Sequence, residues 1–148
     1  MTPPRGLHSK AMRGVAQRLA DSGLGVWSGD APAEYGPNDT LITLLHLPED
    51  PDAAIAVSLY DGDDELRLPN VGLLVQLLIR VPGPADAVAD VAEAAFGVLH
   101  GVHHDTWGEL RVQSARRISF AQLGADSNGR HERSDNYRIV TQRPGGTP

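Results

Sequence analysis

An α+β domain is what this sequence predicts, with a mostly antiparallel sheet of about four to five strands and two main helices on one face. Three observations lead there. Two stretches repeat apolar side chains at helical spacing, LHSKAMRGVAQRLA near the start and PADAVADVAEAAFGVLHG in the second half. Other stretches alternate apolar and polar residues, the mark of a half-buried strand. The order is helix, strands, helix, strands, with no internal repeat and no linker-like segment. A chain of 148 residues with 41% apolar and 22% charged side chains fits one folded domain. At that length roughly 68–70% of the unfolded surface can be buried. The single domain is expected to span 1–148, with its core at about 5–143 and a frayed tail, 144–148.

Each element follows from its residues. Leu7, Ala11, Val15 and Leu19 recur every four positions, so 7–20 is a helix, and Gly23 and Gly25 can end it. GVWS reads as a short strand. Residues 29–40, GDAPAEYGPNDT, are a loop rich in turn formers. In AAIAVSLY, residues 53–60, Ile55, Val57 and Leu59 share one side. VGLLVQLLIRV, residues 71–81, is the clearest strand. Its odd positions are all apolar, and its even positions (Gly72, Leu74, Gln76, Leu78, Arg80) form a mixed face that meets something partly wet. Pro84 opens the second helix in the favoured first-turn position. Val88, Val91, Ala95 and Val98 form its buried stripe, Asp86, Asp90 and Glu93 its wet face, and Gly101 stops it. ELRVQS (109–114) and ISFAQL (118–123) read as strands, the second leading to the turn GADSNG. The last strand runs from about His131 to Gln142. It is so polar that it reads as a sheet edge kept soluble by charge, or as a surface that meets another subunit.

Composition excludes several classes. With no cysteine there is no disulfide, no thiolate metal site and no cysteine nucleophile. No apolar run reaches the roughly 18–20 residues that span a bilayer, which points away from a membrane. The opening residues MTPPRGLHSKAMRG lack the apolar core of a secretory signal, so the protein is expected to start out in a cytosol. A net charge of −6 argues against dedicated nucleic-acid binding. The charge is unevenly placed. Residues 21–66 hold eleven acids and no Lys or Arg, whereas 109–148 hold seven Arg and four acids, a net of +3. Acidic and basic patches on one small protein favour head-to-tail contacts between copies.

Signals for catalysis are poor. His100, His103, His104 and Asp105 could hold a zinc ion, but their spacing matches no zinc pattern, and a polar helix-to-strand connection accounts for them. DGDDE, residues 61–65, resembles the start of a calcium loop, but Leu66 and Gly72 stand where Gly and Glu are needed. GLGVWS misses the dinucleotide fingerprint, and Ser28 is not in a nucleophile elbow. His131, Glu132 and Asp135 scatter over two faces of a strand. No cofactor site and no enzymatic activity are expected.

Several stretches together resemble the tail terminators and minor capsid proteins of long-tailed bacteriophages. They are LADSGLGVWS leaving the first helix, the loop YGPNDT, the strand VGLLVQLLIRVPG, the helix PADAVADVAEAAFGVLHG with its L-H-G end, and the Arg- and aromatic-bearing final strand after a glycine turn, LGADSNGRHERSDNYRIVTQRP. The resemblance spans about 5–143. It implies a small α+β subunit whose copies form a ring, typically of six, in the virion. The ring caps the finished tail tube, stops its polymerisation and meets the head–tail connector in the neck, without catalysis or cofactor. The implied partners are further copies of the chain, the tail tube protein and the connector. DNA passes through the lumen without specific binding, and an acidic lumen would repel it.

On this reading the strand Arg133–Gln142, with Tyr137, and the mixed face of 71–81 lie at or near contacts with other subunits or the tube. Arg111, Arg116, Arg117, Arg130, Arg133 and Arg138 are the cations expected to meet acids of a neighbouring copy, with Asp61, Asp63, Asp64 and Glu65 as candidates for those acids. Within the same class the alternative is another neck or head-completion protein. From a different class it is a small metal-dependent hydrolase built on His100, His103, His104 and Asp105. Nothing beyond small size favours a toxin–antitoxin or host-takeover module.

Overall fold

The computed structural model describes residues 3–62 and 69–142. Its elements run α1 (Leu7–Asp21), β1 (Thr40–Leu44), β2 (Ala53–Gly62), β3 (Asn70–Val81), α2 (Ala87–Leu99), β4 (His103–Trp107), β5 (Leu110–Ala125) and β6 (His131–Gln142). The α+β class stands, but the sheet has six strands rather than four to five, in the order β1-β2-β3-β6-β5-β4. It is mixed, because β1 and β2 run parallel while the other neighbouring pairs are antiparallel. The two additional strands, TLITL and HHDTW, have five residues each. That is too short for alternation to declare itself. GVWS, expected as a strand, is a single bridge from Val26 to Leu41. ELRVQS and ISFAQL are one 16-residue strand, β5, kept continuous through three register shifts.

Both helices pack on the face formed by Val71, Leu73, Val75, Leu77 and Ile79 of β3. In α1 the four-residue spacing buries Ala11, Val15 and Leu19. Past its end, Gly23 takes a left-handed φ of 82° and the Leu24 amide reaches back to the Leu19 carbonyl, closing the last turn. The stripe of α2 differs from expectation. Val88, Ala92, Ala95 and Leu99 are buried, whereas Val91 and Val98 are only partly so. Pro84 precedes the helix, accepting a hydrogen bond from Ala87 N–H in the turn before it. A fully buried leucine here contributes about 1.5–3 kcal/mol relative to an exposed one.

The sheet curls around α1. Six strands laid flat would span about 24 Å at ~4.8 Å spacing, far wider than a single helix of about 10 Å diameter. Yet α1 contacts β1 at one edge and β4 at the other. Gly14 makes the β4 side possible: a Cβ there would lie 2.6 Å from the Trp107 carbonyl oxygen and 2.9 Å from Leu110 Cβ. The most consequential correction concerns β6. Its polar start suggested an edge, but β6 lies in the middle of the sheet, paired along its length with β3 and β5.

Candidate interaction surface

A central strand must bury its inward residues whatever their polarity, so the polar start of β6 needs internal partners. Asp135 is fully buried. Its carboxylate accepts from Arg133 Nε at 2.6 Å and from Arg117 Nη1 at 3.2 Å. The Arg133 guanidinium lies 4.0 Å from the Phe120 ring centroid, and that of Arg117 lies 4.4 Å from the centroid of Phe96. Glu93 of α2 approaches Arg117 at 3.9 Å. Tyr137, beside this cluster, is buried with its hydroxyl unpartnered. Burial, reinforced by the Asp135 charge, pushes that hydroxyl far above the ordinary tyrosine range. Arg117 and Arg133, expected at a contact between copies, thus meet an acid of their own chain.

Arg130 is also held internally. It sits in the β5–β6 turn, where its Nε donates to Asp126 at 2.8 Å and its Nη1 to the Glu49 carbonyl at 2.8 Å. Burial opposes ionisation of Asp126, but the backbone amide and the guanidinium of Arg130, with the Asn128 amide, hold its carboxyl below the usual range. Arg80, on the mixed face of β3, is buried because it donates to the carbonyls of Pro51 and Asp52, at 2.8 and 2.9 Å. The segment between β1 and β2 is therefore pinned by two arginines, Arg80 of β3 and Arg130 of the β5–β6 turn.

The face of the sheet opposite the helices keeps a wet middle, as the mixed pattern of β3 predicts. Gln76 Nε2 donates to Asn136 Oδ1 at 3.2 Å, and Asn136 Nδ2 donates to Ser119 Oγ at 2.9 Å, a polar ladder across β3, β6 and β5. One row further along, Leu74 pairs with Arg138 and Arg138 with Arg116. Arg138 lies flat against Gly72, where a Cβ would overlap its guanidinium. Arg111 and Arg116 are exposed. Among the described residues no acid lies within ion-pair distance of Arg111, Arg116 or Arg138. Asp61 is exposed at the end of β2, and Asp63, Asp64 and Glu65 fall outside the described residues.

Sequence reasoning missed the most exposed part of the sheet. β4 pairs with β5 only between Leu110 and Ser114. The Ala115 amide then donates to the Val102 carbonyl and the Arg117 amide to His100 Nδ1. From Ile118 to Ala125 the side of β5 away from β6 has no strand beside it among the described residues. Ile118, Phe120 and Leu123 are 40, 52 and 51% exposed there. The alternation in ISFAQL is a signal of a strand, but it does not say that both faces stay in water.

The histidines do not converge. His100 stacks on Phe96 at 4.3 Å and accepts the Arg117 amide. His103 and His104 are exposed neighbours on β4. Asp105 accepts from Trp107 Nε1 at 3.1 Å. Among the described residues no group of three or more His, Asp or Glu side chains is placed to hold a metal ion, which removes the geometric basis for the hydrolase alternative.

Residues 18–143 match the family described as bacteriophage tail terminator protein. No curated protein matches the chain. Among solved structures, a chain of the virion of a native gene transfer agent particle is similar with 14% identity and a TM-score of 0.49, over 68% of this chain and 78% of that one.

Proposed function

The chain belongs to the bacteriophage tail terminator family, a phage virion structural protein on that footing, and from there we propose that its copies form a ring, a hexamer, on the tip of the finished tail tube. The ring stops tube polymerisation and joins the tail to the head connector. Its partners are its own copies, the tube protein and the connector, and DNA passes through the lumen without specific binding. It acts in the virion by shape and contact, without catalysis. No described helix is long and apolar enough to cross a membrane.

The observation that carries this reading is the family match over residues 18–143. The molecule supports it in a second way. Arg111, Arg116 and Arg138 are cations without a described acid beside them, and exposed acids stand on another part of the surface, at Glu34, Asp39, Glu49, Asp50 and Asp61. The interface expected from the whole arginine set therefore narrows to these three, since Arg117, Arg130 and Arg133 serve the fold. The polar face of β3, β6 and β5 is a second contact surface, toward the tube.

Electron microscopy of lysates from a phage lacking this gene tests the proposal. Overlong tubes detached from heads are expected. Tails of normal length beside leaking capsids would instead make the chain a neck or head-completion protein, and normal virions would sink both readings.

A further inference from the structure

The free edge of β5 has the features of a docking strand. Soluble proteins protect an exposed edge with charge, proline or shortness. This one carries register shifts at Arg117/Ser119 and Gln122/Gly124, but between Ile118 and Leu123 it also presents three of the large apolar side chains that stay exposed. Two of the other exposed ones, Tyr35 and Leu45, lie at the opposite side of the sheet. There a cleft of about 330 Å³ is lined by Tyr35, Gly36, Pro37, Asp50, Pro51 and Asp52. Its lining combines a tyrosine and two prolines with two aspartates, of which Asp52 lies 3.4 Å from Arg130 Nη1, and Glu49 and Asp39 are exposed nearby.

The two surfaces occupy the same end of the sheet. Thr40 pairs with Ala53, Ala54 with Arg80, Arg80 with Glu132, and Ala125 with His131. The cleft beside Asp52 and the outer part of β5 are thus level with each other, at opposite sides. We propose that the edge of β5 from Ile118 to Ala125 docks against the Tyr35–Pro37–Asp50–Asp52 cleft of a second copy. Leu123 and Phe120 are buried against its tyrosine and prolines, and Arg116, which the register places level with Asp61, faces that exposed acid of the second copy. The contact is heterologous, since each copy offers both surfaces, and it joins copies side by side. Burial of the apolar side chains supplies most of the affinity and the charges set the orientation. This deepens the ring reading by naming the two surfaces, and it rests on that reading for its occupant, a further copy.

The absence of cysteine from the chain makes the test direct. Purified P37C, L123C and the double variant P37C/L123C are treated with a short bis-maleimide at high protein concentration. The double variant is expected to give a ladder of covalent multimers, and a mixture of the single variants a dimer. Leu123→Glu, placed at an exposed position, is expected to weaken self-association by roughly tenfold or more with an unchanged unfolding midpoint. A dimer from L123C alone would show a symmetric edge-to-edge contact and overturn the proposal. So would the absence of any cross-link, or association indifferent to Leu123→Glu. Overlong tubes in the gene-lacking phage combined with any of those results would leave the terminator reading standing and remove only this contact.

Discussion

The two arms of the last hairpin invert the usual relation between hydropathy and burial. HERSDN opens β6 and contains Arg133, Ser134 and Asp135, which are 3, 8 and 0% exposed. ISFAQL, on the facing arm, leaves Ile118, Phe120 and Leu123 about half in water. The arms are cross-strand neighbours, Phe120 opposite Asp135 and Gln122 opposite Arg133. Place in the strand order separates them. β6 has a neighbour on each side, whereas the outer half of β5 has one. A polar residue in a central strand is tolerated when its charge is met in place, and an apolar residue on a free edge has nothing to be buried by. Polarity alone therefore does not locate a strand within a sheet.

The contrast between the two arms depends most on Asp135. Asp135→Ala leaves two guanidinium groups without their shared carboxylate, and a loss of about 3–5 kcal/mol is expected in denaturant unfolding. A loss under ~1 kcal/mol would mean that the cluster does not hold the hairpin. Charge reversal at Arg133 should likewise strike folding before assembly.

Next in size is the hairpin turn. Asp126 accepts the amides of Asn128 and Arg130 and the Arg130 side chain. Its carboxyl is depressed, so its contribution is complete above the ordinary aspartate value and is lost as pH falls through the folded one. Asp126→Asn should lower the melting temperature at neutral pH and make the acid limb of the stability profile shallower. An unchanged acid limb would remove Asp126 from the account.

Tyr137→Phe removes a buried hydroxyl that has no partner. It should be neutral or stabilising, by up to about 1 kcal/mol. The hydroxyl is raised in the folded chain. Its contribution is therefore full below the ordinary tyrosine value and declines as pH rises above it toward the folded one. The variant should resist alkaline unfolding better than the parent, and a clear loss of stability would reveal a bond to the hydroxyl. The smallest effect belongs to the edge: Ile118→Glu should change stability by less than about 0.5 kcal/mol, as measured by the same denaturant midpoint.

Much of this was legible beforehand. The four-residue repeat of Leu7 to Leu19 and the strict alternation of Val71 to Val81 located α1 and β3, because one buried face leaves a period in the sequence. The limits of β6 were readable too, since GADSNG announces the turn before it. TLITL and HHDTW were not, because a strand completed by neighbours distant in the chain leaves little periodic trace. Nor could the Asp135 cluster be found. Arg117 reaches that carboxylate only through the β5–β6 register, which includes a shift just after Arg117. Six arginines near the end of the chain looked equivalent, and only the strand order divides those serving the fold from those left at the surface.

The position of β6 also governs when the molecule can come into being. β1, β2 and β3 form one run of paired strands, and β4 pairs with β5, but among the described residues no strand except β6 joins the two groups within the sheet. On a ribosome the first five strands must wait as two separate ribbons until the segment after Arg130 has emerged. At that moment β6 meets partners made some sixty residues earlier, as in Asn70 with Gln142 and Val81 with His131 at the extremes of the register. Such late, non-local closure makes for slow folding. It also means that no incomplete copy, released early from synthesis, contains a finished sheet with which to compete for a place in the assembly.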